Sequence, residues 1–140
     1  MQNHPQNKFV LIVEPCEKTN DEYQNWISKN TAFMAIGFLE VEKALEFARI
    51  YQPTECALIL TPYKIKSNYT GLDLITQLEE LYTHNKNSIP FTSFILTEDY
   101  QCLTETLKFK DLQSLGGICT KALFEKIWEF IEVKHYQTQS

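Results

Sequence analysis

Short, continuously apolar segments alternate along the chain with segments whose apolar residues recur every three or four positions. The first apolar segment, Phe9–Val13, is continuous and partly β-branched, which is typical of a strand buried on both faces of a parallel sheet. The longer segments have the spacing of amphipathic helices. The pattern predicts strands at 9–13, 32–38, 56–60, 91–97 and 118–120, and helices at 20–29, 42–51, 71–82, 99–115 and 122–134.

Local signals predict where some of these elements begin. Thr19 and Glu22 have the spacing of a capping box, so the first helix is expected to begin at Asn20. Residues 62–70 are rich in polar and turn-forming types and are predicted to be a polar loop. The glycine pair at 116–117 is predicted to form a turn before the last strand.

Five strands and five helices in strict alternation indicate an α/β fold, in which helices cover both faces of a parallel sheet. A chain of 140 residues is long enough for one hydrophobic core. We therefore predict a single-domain, doubly wound, five-stranded parallel sheet with five helices. Residues 1–7 are expected to be a disordered lead, 8–135 the domain and 136–140 a tail.

Charge and hydropathy exclude two classes of partner. The net charge is −5 and Arg49 is the only arginine, so the clustered basic surface of a nucleic-acid-binding protein is not expected. The longest apolar runs, such as Phe9–Val13, have five residues, whereas a helix that crosses a membrane needs about 20. The N-terminal segment is polar and lacks the apolar stretch of a signal peptide, from which we expect a cytoplasmic location.

The cysteines and histidines do not form a recognisable metal motif. The four cysteines lie far apart without a CxxC pair, which predicts buried or half-buried thiols rather than a zinc site or disulfides. The histidines lie in segments predicted as tail or loop, where exposure to solvent is expected. These residues are Cys16, Cys56, Cys102 and Cys119, and His4, His84 and His135.

Six short segments, in the right order and at matching intervals, resemble the receiver domain of two-component response regulators. The resemblance covers residues 8–134. It implies a flavodoxin-like (CheY-like) sheet of order 2-1-3-4-5, with the functional site at the carboxyl ends of the strands. The six segments are Phe9–Val13 with Glu14, Ala44-Leu45-Glu46, residues 57–60, Gly71-Leu72-Asp73-Leu74-Ile75, Phe94-Ile95-Leu96-Thr97, and Thr120-Lys121.

The same resemblance implies where the chemistry of phosphorylation would lie. The phosphate-accepting aspartate of such domains corresponds to Thr61, and a threonine hydroxyl is a poor substitute for a carboxylate that forms an acyl phosphate. The acidic pair that holds Mg²⁺ corresponds to Glu14 and Pro15, so one carboxylate is lost. Glu14 remains as a ligand, with Glu17 as a weaker candidate. We therefore expect no metal or other cofactor.

Two further positions of the family's site are retained and one is changed. Thr97 corresponds to the phosphate-contacting hydroxyl and Lys121 to the phosphate-binding lysine, while Ile118 replaces the aromatic residue that reports phosphorylation. Thr97 and Lys121 are either phosphate ligands, or a strand end and a neutralising partner of Glu14. Thr61 is either a substrate of a Ser/Thr kinase or a packed strand end. The resemblance implies a degenerate site without enzymatic activity.

The last predicted helix has apolar residues over a wider arc than packing against a core requires. Both burial and a partner surface explain this arc, because aromatic residues often anchor interfaces. In receiver domains, the face formed by helix 4, strand 5 and helix 5 commonly binds partners or a second copy. The interface candidates on that face are Phe109, Trp128, Phe130 and Tyr136.

These observations predict a stand-alone pseudo-receiver that acts in two-component-type signal transduction. It would bind another signalling protein independently of phosphorylation, or form a homodimer through the same face. Two alternatives stay open. One is a phosphorylatable switch that uses Thr61 or Glu14, and the other is a flavodoxin-like module that binds a small ligand near Thr61, Ser67 and Thr70.

Overall fold

The computed structural model of the chain describes residues 8–50, 56–83, 91–97 and 114–119, together with Phe124, Glu125 and Trp128, which are helical. In chain order the elements are β1 (Phe9–Val13), α1 (Glu17–Asn30), β2 (Met34–Phe38), α2 (Val41–Ile50), β3 (Cys56–Thr61), β4 (Lys64–Lys66), β5 (Tyr69–Thr70), α3 (Gly71–Thr83), β6 (Thr92–Leu96) and β7 (Leu115–Cys119).

Five strands form one sheet of order β2-β1-β3-β6-β7, and every neighbouring pair in it is parallel. This is the predicted order 2-1-3-4-5, so the α/β class, the parallel sheet and its order are confirmed. The part of the chain that the structure describes contains three complete helices of the predicted five. Residues 99–113 of the fourth predicted helix lie outside it, and Leu115, predicted as the end of that helix, is the first residue of β7. No described helix has the length and apolar character needed to cross a bilayer.

The core lies on both faces of the sheet because the central strands alternate their side chains between two clusters. Val10 and Ile12 belong to the cluster beneath α1, and Leu11 and Val13 belong to the cluster beneath α2 and α3. All residues of β1 and β3 are buried. Burial on both faces explains why these strands are continuously apolar in sequence.

Trp128 belongs to this core and not to the surface. Its side chain is 2% exposed, and its ring lies 5.9 Å from that of Trp26 and 5.8 Å from that of Phe124. Phe124 in turn stacks on Tyr23 at 4.7 Å. Trp128 is therefore removed from the interface candidates, and burial accounts for this part of the wide apolar arc.

The first helix begins earlier than predicted. It starts at Glu17, its N-cap is Cys16, and Thr19 lies inside the first turn, so the predicted capping box does not form. A capping interaction of this kind occurs instead at α3, where Asp73 Oδ2 accepts hydrogen bonds from Thr70 N at 2.9 Å and from Thr70 Oγ1 at 3.2 Å.

The second strand begins later than predicted, at Met34 rather than at residue 32. The hydroxyl of Thr31 explains the delay, because it donates to Ile27 O at 2.8 Å and accepts from Phe33 N at 3.1 Å. These bonds hold the end of α1 and the connection to β2 in an irregular conformation. The backbone therefore joins the sheet only at Met34.

Two segments predicted as turn or loop contain strands. The predicted polar loop at 62–70 forms the β4–β5 hairpin, and Asn68 in its turn has φ 61°, a left-handed conformation that asparagine tolerates. The predicted glycine turn at 116–117 lies within β7, where Gly117 pairs with Phe94. Pairing with another segment outweighs the local turn preference of these residues.

Candidate functional site

Three of the residues predicted for the site lie at the carboxyl edge of the sheet, where three neighbouring strands end. Glu14 follows β1, Thr61 is the last residue of β3, and Thr97 follows β6. The parallel register aligns these ends, since Ile12 pairs with Leu60 and Thr61 pairs with Ile95. The structure therefore places these three residues at the same edge of the sheet, on three neighbouring strands.

The Glu14 carboxylate bonds to its own chain. Glu14 is 6% exposed, and its Oε2 accepts a hydrogen bond from Cys16 N at 2.9 Å. Pro15, at the second acidic position of the resemblance, is exposed, as is Glu17 in the first turn of α1. Among the described residues, no group of three acidic, cysteine or histidine side chains could hold a metal ion.

The described side chains at this edge do not fit the Mg²⁺ site of a receiver domain. Mg²⁺ needs near-octahedral oxygen coordination and is usually bound through one or two carboxylates. Here Glu14 supplies one carboxylate with one oxygen already engaged, Pro15 supplies no side-chain ligand, and Thr61 supplies a neutral hydroxyl. No step through a metal follows from this donor set.

Thr61 is enclosed at the end of its strand. Its side chain is 2% exposed, and its hydroxyl donates a hydrogen bond to Pro62 O at 3.1 Å. The first residue of α3, Gly71, packs directly over it, because a Cβ at Gly71 would lie 2.4 Å from Pro62 O and 2.9 Å from Thr61 Cγ2. Gly71 N also donates to Tyr63 O at 2.7 Å. The beginning of α3 thus covers the position of the missing aspartate.

Asn20 organises the edge and was missed by the sequence prediction. It is 1% exposed, and its Nδ2 donates to Glu14 O and to Phe38 O, each at 3.0 Å. The side chain therefore joins α1 to the ends of β1 and β2. One signal could have identified it, since Asn20 precedes Tyr23 by three residues and Ile27 by seven, which places it on the buried face of the helix.

Gly37 gives Asn20 and its neighbour the space they occupy. A Cβ at Gly37 would lie 2.1 Å from Asn20 Oδ1 and 2.3 Å from Gln24 Nε2, which are themselves hydrogen bonded at 2.7 Å. A larger residue at position 37 would displace this amide pair. Gly37 therefore permits the close approach of α1 to the end of β2.

The β4–β5 hairpin lies beside the edge and is fastened to α2 and α3. Lys66 Nζ forms an ion pair with Glu42 Oε2 at 2.5 Å and lies 5.7 Å from the centre of the Tyr69 ring. The Tyr69 hydroxyl donates to Gln77 Oε1. A shallow pocket with a volume of about 420 Å³ is lined by residues 63–70, which include Ser67 and Thr70 but not Thr61.

The two cysteines whose side chains the structure describes, Cys16 and Cys56, have different environments. Cys16 is exposed, contrary to the prediction of a buried or half-buried thiol, and hydrogen bonds from the Thr19 side chain and backbone lower its pKa. Cys56 is buried as predicted, and burial raises its pKa to about 12. Cys16 is exposed because it is the N-cap of α1, outside the apolar face of that helix.

Several predicted site residues lie outside the described residues. They include the lysine expected to bind phosphate or to neutralise Glu14, and three of the four interface candidates. Of Ile118, the structure describes the backbone, which pairs with Ile95 in β7. The residues that lie outside the described part of the chain are Lys121, Phe109, Phe130 and Tyr136, along with Cys102 and the three histidines.

Comparison with solved structures identifies the fold. The chain superimposes on a response regulator receiver protein from Pseudomonas putida with a TM-score of 0.71 and 16% identity, covering 90% of this chain and 96% of that one. It superimposes on the signal receiver domain of an HD domain-containing protein from Pseudomonas fluorescens Pf-5 with a TM-score of 0.70 and 13% identity, covering 95% and 97%.

A receiver domain from Clostridium thermocellum matches with a TM-score of 0.65 and 11% identity, over 81% of this chain and 82% of that one. No protein-family model and no curated protein sequence matches the chain. The chain therefore has the fold of response regulator receiver domains.

Proposed function

We propose that this protein is a pseudo-receiver, a signalling domain that keeps the receiver fold and acts by binding another signalling protein without accepting a phosphoryl group. The observation that carries the proposal is the enclosed Thr61 at the end of β3. In the receiver fold this is where the accepting carboxylate would stand. The proposal covers action in two-component-type signalling, and a cytoplasmic location stays a prediction from the polar N-terminal segment.

The state of Thr61 argues against phosphoryl transfer for two physical reasons. Attack on phosphorus needs an oxygen that can approach the donor in line, and the Thr61 side chain is covered by Gly71 at the start of α3. A hydroxyl also needs a base to remove its proton, whereas its proton is directed to Pro62 O, a carbonyl oxygen of negligible basicity. An ionised carboxylate at this position would need no base, because it has no proton to lose.

The direct test is exposure of the intact protein to a small phosphodonor. We expect no phosphorylated species by intact mass after incubation with acetyl phosphate and Mg²⁺. We also expect no cluster of amide shifts at Glu14, Thr61 and Lys121 on titration with Mg²⁺ and beryllofluoride. A phosphorylated product, or shifts at these three residues, would overturn the proposal in favour of an unusual phospho-switch.

A second test addresses binding and uses a matched variant. Thr61→Val keeps the shape of the side chain and removes the hydroxyl, so it abolishes any modification of that oxygen. We expect the wild-type chain and Thr61→Val to capture the same partner from lysate of the source cells, with and without phosphatase treatment. Loss of the partner in Thr61→Val or after phosphatase would support regulation by phosphorylation of Thr61.

The partner surface proposed from the sequence is the face formed by the fourth predicted helix, β7 and the last predicted helix. Trp128 is in the core, so Phe109, Phe130 and Tyr136 carry this part of the proposal. Phe130→Asp is expected to weaken partner binding while the unfolding midpoint stays close to that of the wild type. If neither self-association nor partner capture changes in this variant, the face is not the partner surface.

The small-ligand alternative has one specific observation in its favour. The shallow pocket of the hairpin contains the hydroxyls of Ser67 and Thr70, two of the three residues singled out in the sequence. Native mass spectrometry of the purified chain distinguishes this alternative. A retained small molecule that is lost in a Ser67→Ala variant would favour ligand binding over the pseudo-receiver proposal.

A further inference from the structure

The strand β2 leaves one edge of the main sheet open. It is the end strand of the sheet, and among the described residues only β1 pairs with it. All residues of β1 are buried, whereas Met34 in β2 is 56% exposed and the other four residues of the strand are half-buried. Solvent therefore reaches this edge.

The hydrogen bonds to β1 identify the backbone groups that face outward. Met34 N donates to Lys8 O at 3.2 Å, and Phe38 O accepts from Glu14 N at 3.0 Å, so both residues face β1. In a parallel pair, alternate residues direct both backbone groups to the same neighbour. Ile36 then also bonds to β1, while Ala35 and Gly37 direct their N–H and C=O groups to the open edge.

This edge lacks the features that usually prevent pairing with another strand. Natural edge strands are commonly protected by charged residues, proline or a β-bulge. The segment Met34–Phe38 contains no charged residue and no proline, and its register with β1 is continuous. Leu39, which follows it, is also 44% exposed. The edge strand β2 is therefore apolar and not protected against pairing with another strand.

The strand is complementary to itself in the antiparallel direction. Around a two-fold axis at Ile36, Ala35 of each copy lies opposite Gly37 of the other, and these residues carry the outward backbone groups. The two residues would exchange both hydrogen bonds with their counterparts, as in a hydrogen-bonded antiparallel pair. Four backbone hydrogen bonds form in this way without disturbing the pairing to β1.

The side chains agree with the same register. Ile36 meets Ile36 of the second copy, and Met34 meets Phe38, a pairing that covers the exposed thioether with an aromatic ring. Phe38 and Ile36 pack against the cluster beneath α2, so Met34 lies on that face as well. Glu40 falls opposite Ala32, so no like charges oppose each other.

We propose that two copies of this chain associate through β2, in an antiparallel pairing centred on Ile36 that joins their sheets into one. This complementarity favours a second copy over an unrelated strand as the occupant, because every cross-strand pair is apolar and no charge selects a foreign partner. The inference is independent of the proposed function, since β2 takes no part in the site around Thr61.

The primary test is the association state of the wild-type chain across a range of concentrations by analytical ultracentrifugation. Met34→Lys places a charge at the exposed end of the pairing, twice per dimer, and is expected to raise the dimer dissociation constant by roughly tenfold or more. The matched control is Ile50→Lys, which makes the same change at a residue that is 73% exposed at the end of α2. This control is expected to leave the dissociation constant unchanged.

Hydrogen exchange assigns the interface independently of any variant. At concentrations where the dimer dominates, the amides of Ala35 and Gly37 are expected to exchange much more slowly than in the monomer. The amides of Met34, Ile36 and Phe38 already bond to β1 and are expected to be protected at both concentrations. This alternation is specific to strand pairing, and a surface that merely buries β2 would not produce it.

Three outcomes would overturn the inference. A chain that stays monomeric at all concentrations has no such pairing. A dimer that is equally stable in Met34→Lys, with Ala35 and Gly37 exchanging freely, assembles through another face. Capture of an extended segment of a different protein, with protection of Ala35 and Gly37 only in that complex, would identify a foreign strand as the occupant.

Discussion

At the scale of single residues, the site is defined by polar side chains that hold the backbone together. Asn20 bonds the ends of β1 and β2, the Glu14 carboxylate bonds to Cys16 N, and Thr61 bonds to Pro62 O. Each of these three described groups already has a structural partner. This arrangement agrees with the proposal that the edge does not transfer a phosphoryl group.

Asn20→Ala tests this view of the edge. The substitution leaves Glu14 O without its amide partner and removes one of the two donors to Phe38 O, in a buried position. We expect the free energy of unfolding to fall by about 2 kcal/mol, the cost of leaving buried polar groups unpaired. Urea denaturation followed by circular dichroism gives the measurement.

The control for this prediction is Glu22→Ala, which makes the same kind of truncation at an exposed position of the same helix. It is expected to change the free energy of unfolding by less than about 0.5 kcal/mol. If the two variants are equally stable, Asn20 does not hold the strand ends.

At the scale of elements, a buried carboxylate joins α3 to the far end of the sheet. Glu79 is 8% exposed, and its Oε2 accepts hydrogen bonds from Ser114 N at 2.7 Å and Ser114 Oγ at 2.5 Å. The Ser114 and Ser93 hydroxyls are 2.9 Å apart, and Ser93 N donates to Ser114 O. Helix α3, the start of β7 and β6 are therefore connected by one polar cluster.

Truncation of Glu79 is expected to separate these elements. Glu79→Ala leaves Ser114 N without its acceptor and leaves the Ser114 hydroxyl with only the Ser93 hydroxyl as a side-chain partner, and we expect a loss of about 2–3 kcal/mol in the free energy of unfolding. Glu79→Gln keeps one carbonyl oxygen as acceptor and is expected to lose less. Glu80→Ala, at the exposed neighbour, is the control.

Thermal and urea unfolding of the three variants provide the comparison. The order of stability we expect is Glu80→Ala closest to the wild type, then Glu79→Gln, then Glu79→Ala. Equal stability of Glu79→Ala and Glu80→Ala would mean that the polar cluster does not connect α3 to the sheet.

At the scale of the whole molecule, burial of ionisable groups makes the fold sensitive to alkaline pH. Burial raises the pKa of Cys56 from 9.0 to about 12, and burial together with the nearby Glu14 charge raises that of Tyr23 from 10.0 to about 12. The folded state therefore holds these protons more tightly than the unfolded state does. Their contribution to stability is complete below pH 9 and is lost as the pH rises towards 12.

Tyr23→Phe separates the tyrosine from the thiol. Within the described part of the chain, the buried Tyr23 hydroxyl has no hydrogen-bond partner, so its removal is expected to preserve stability at pH 7. Above pH 10 the variant is expected to lose stability less steeply than the wild type, while the loss that begins near pH 9 remains.

Tyr69→Phe is the comparison for this variant. The pKa of Tyr69 is also raised to about 12, mainly by burial, but its hydroxyl donates to Gln77, so this variant is expected to lose stability already at pH 7. Urea midpoints measured from pH 7 to 11 distinguish the two. A parallel pH profile for Tyr23→Phe and the wild type would contradict the assignment to Tyr23.

Much of the architecture could be predicted because it depends on local patterns. Continuous apolar segments and helical spacing are present in each segment by itself, so the α/β class and the parallel sheet could be predicted from their alternation. The position of Thr61 could be predicted for the same reason, since it ends the apolar strand β3. Resemblance to receiver domains added the sheet order and the roles of the positions.

The predictions that were wrong share a physical cause, which is packing against residues distant in sequence. The β4–β5 hairpin packs Ile65 and Tyr69 against the core beneath α2 and α3. These contacts could not be predicted from the polar sequence of the segment. Trp128 was predicted as a surface candidate because the apolar arc of a helix does not show which residues pack against it. In the structure, the rings of Trp26 and Phe124 lie next to the Trp128 ring.

The sequence by itself determined the alternation of the main strands and helices and the absence of a carboxylate at position 61, because these depend on local residue patterns and on single residues. Tertiary structure decided that Asn20 joins two strands, that Gly71 closes over Thr61 and that β2 has an open apolar edge. These features arise from contacts between residues distant in sequence, whose free energies exist only once the chain has folded.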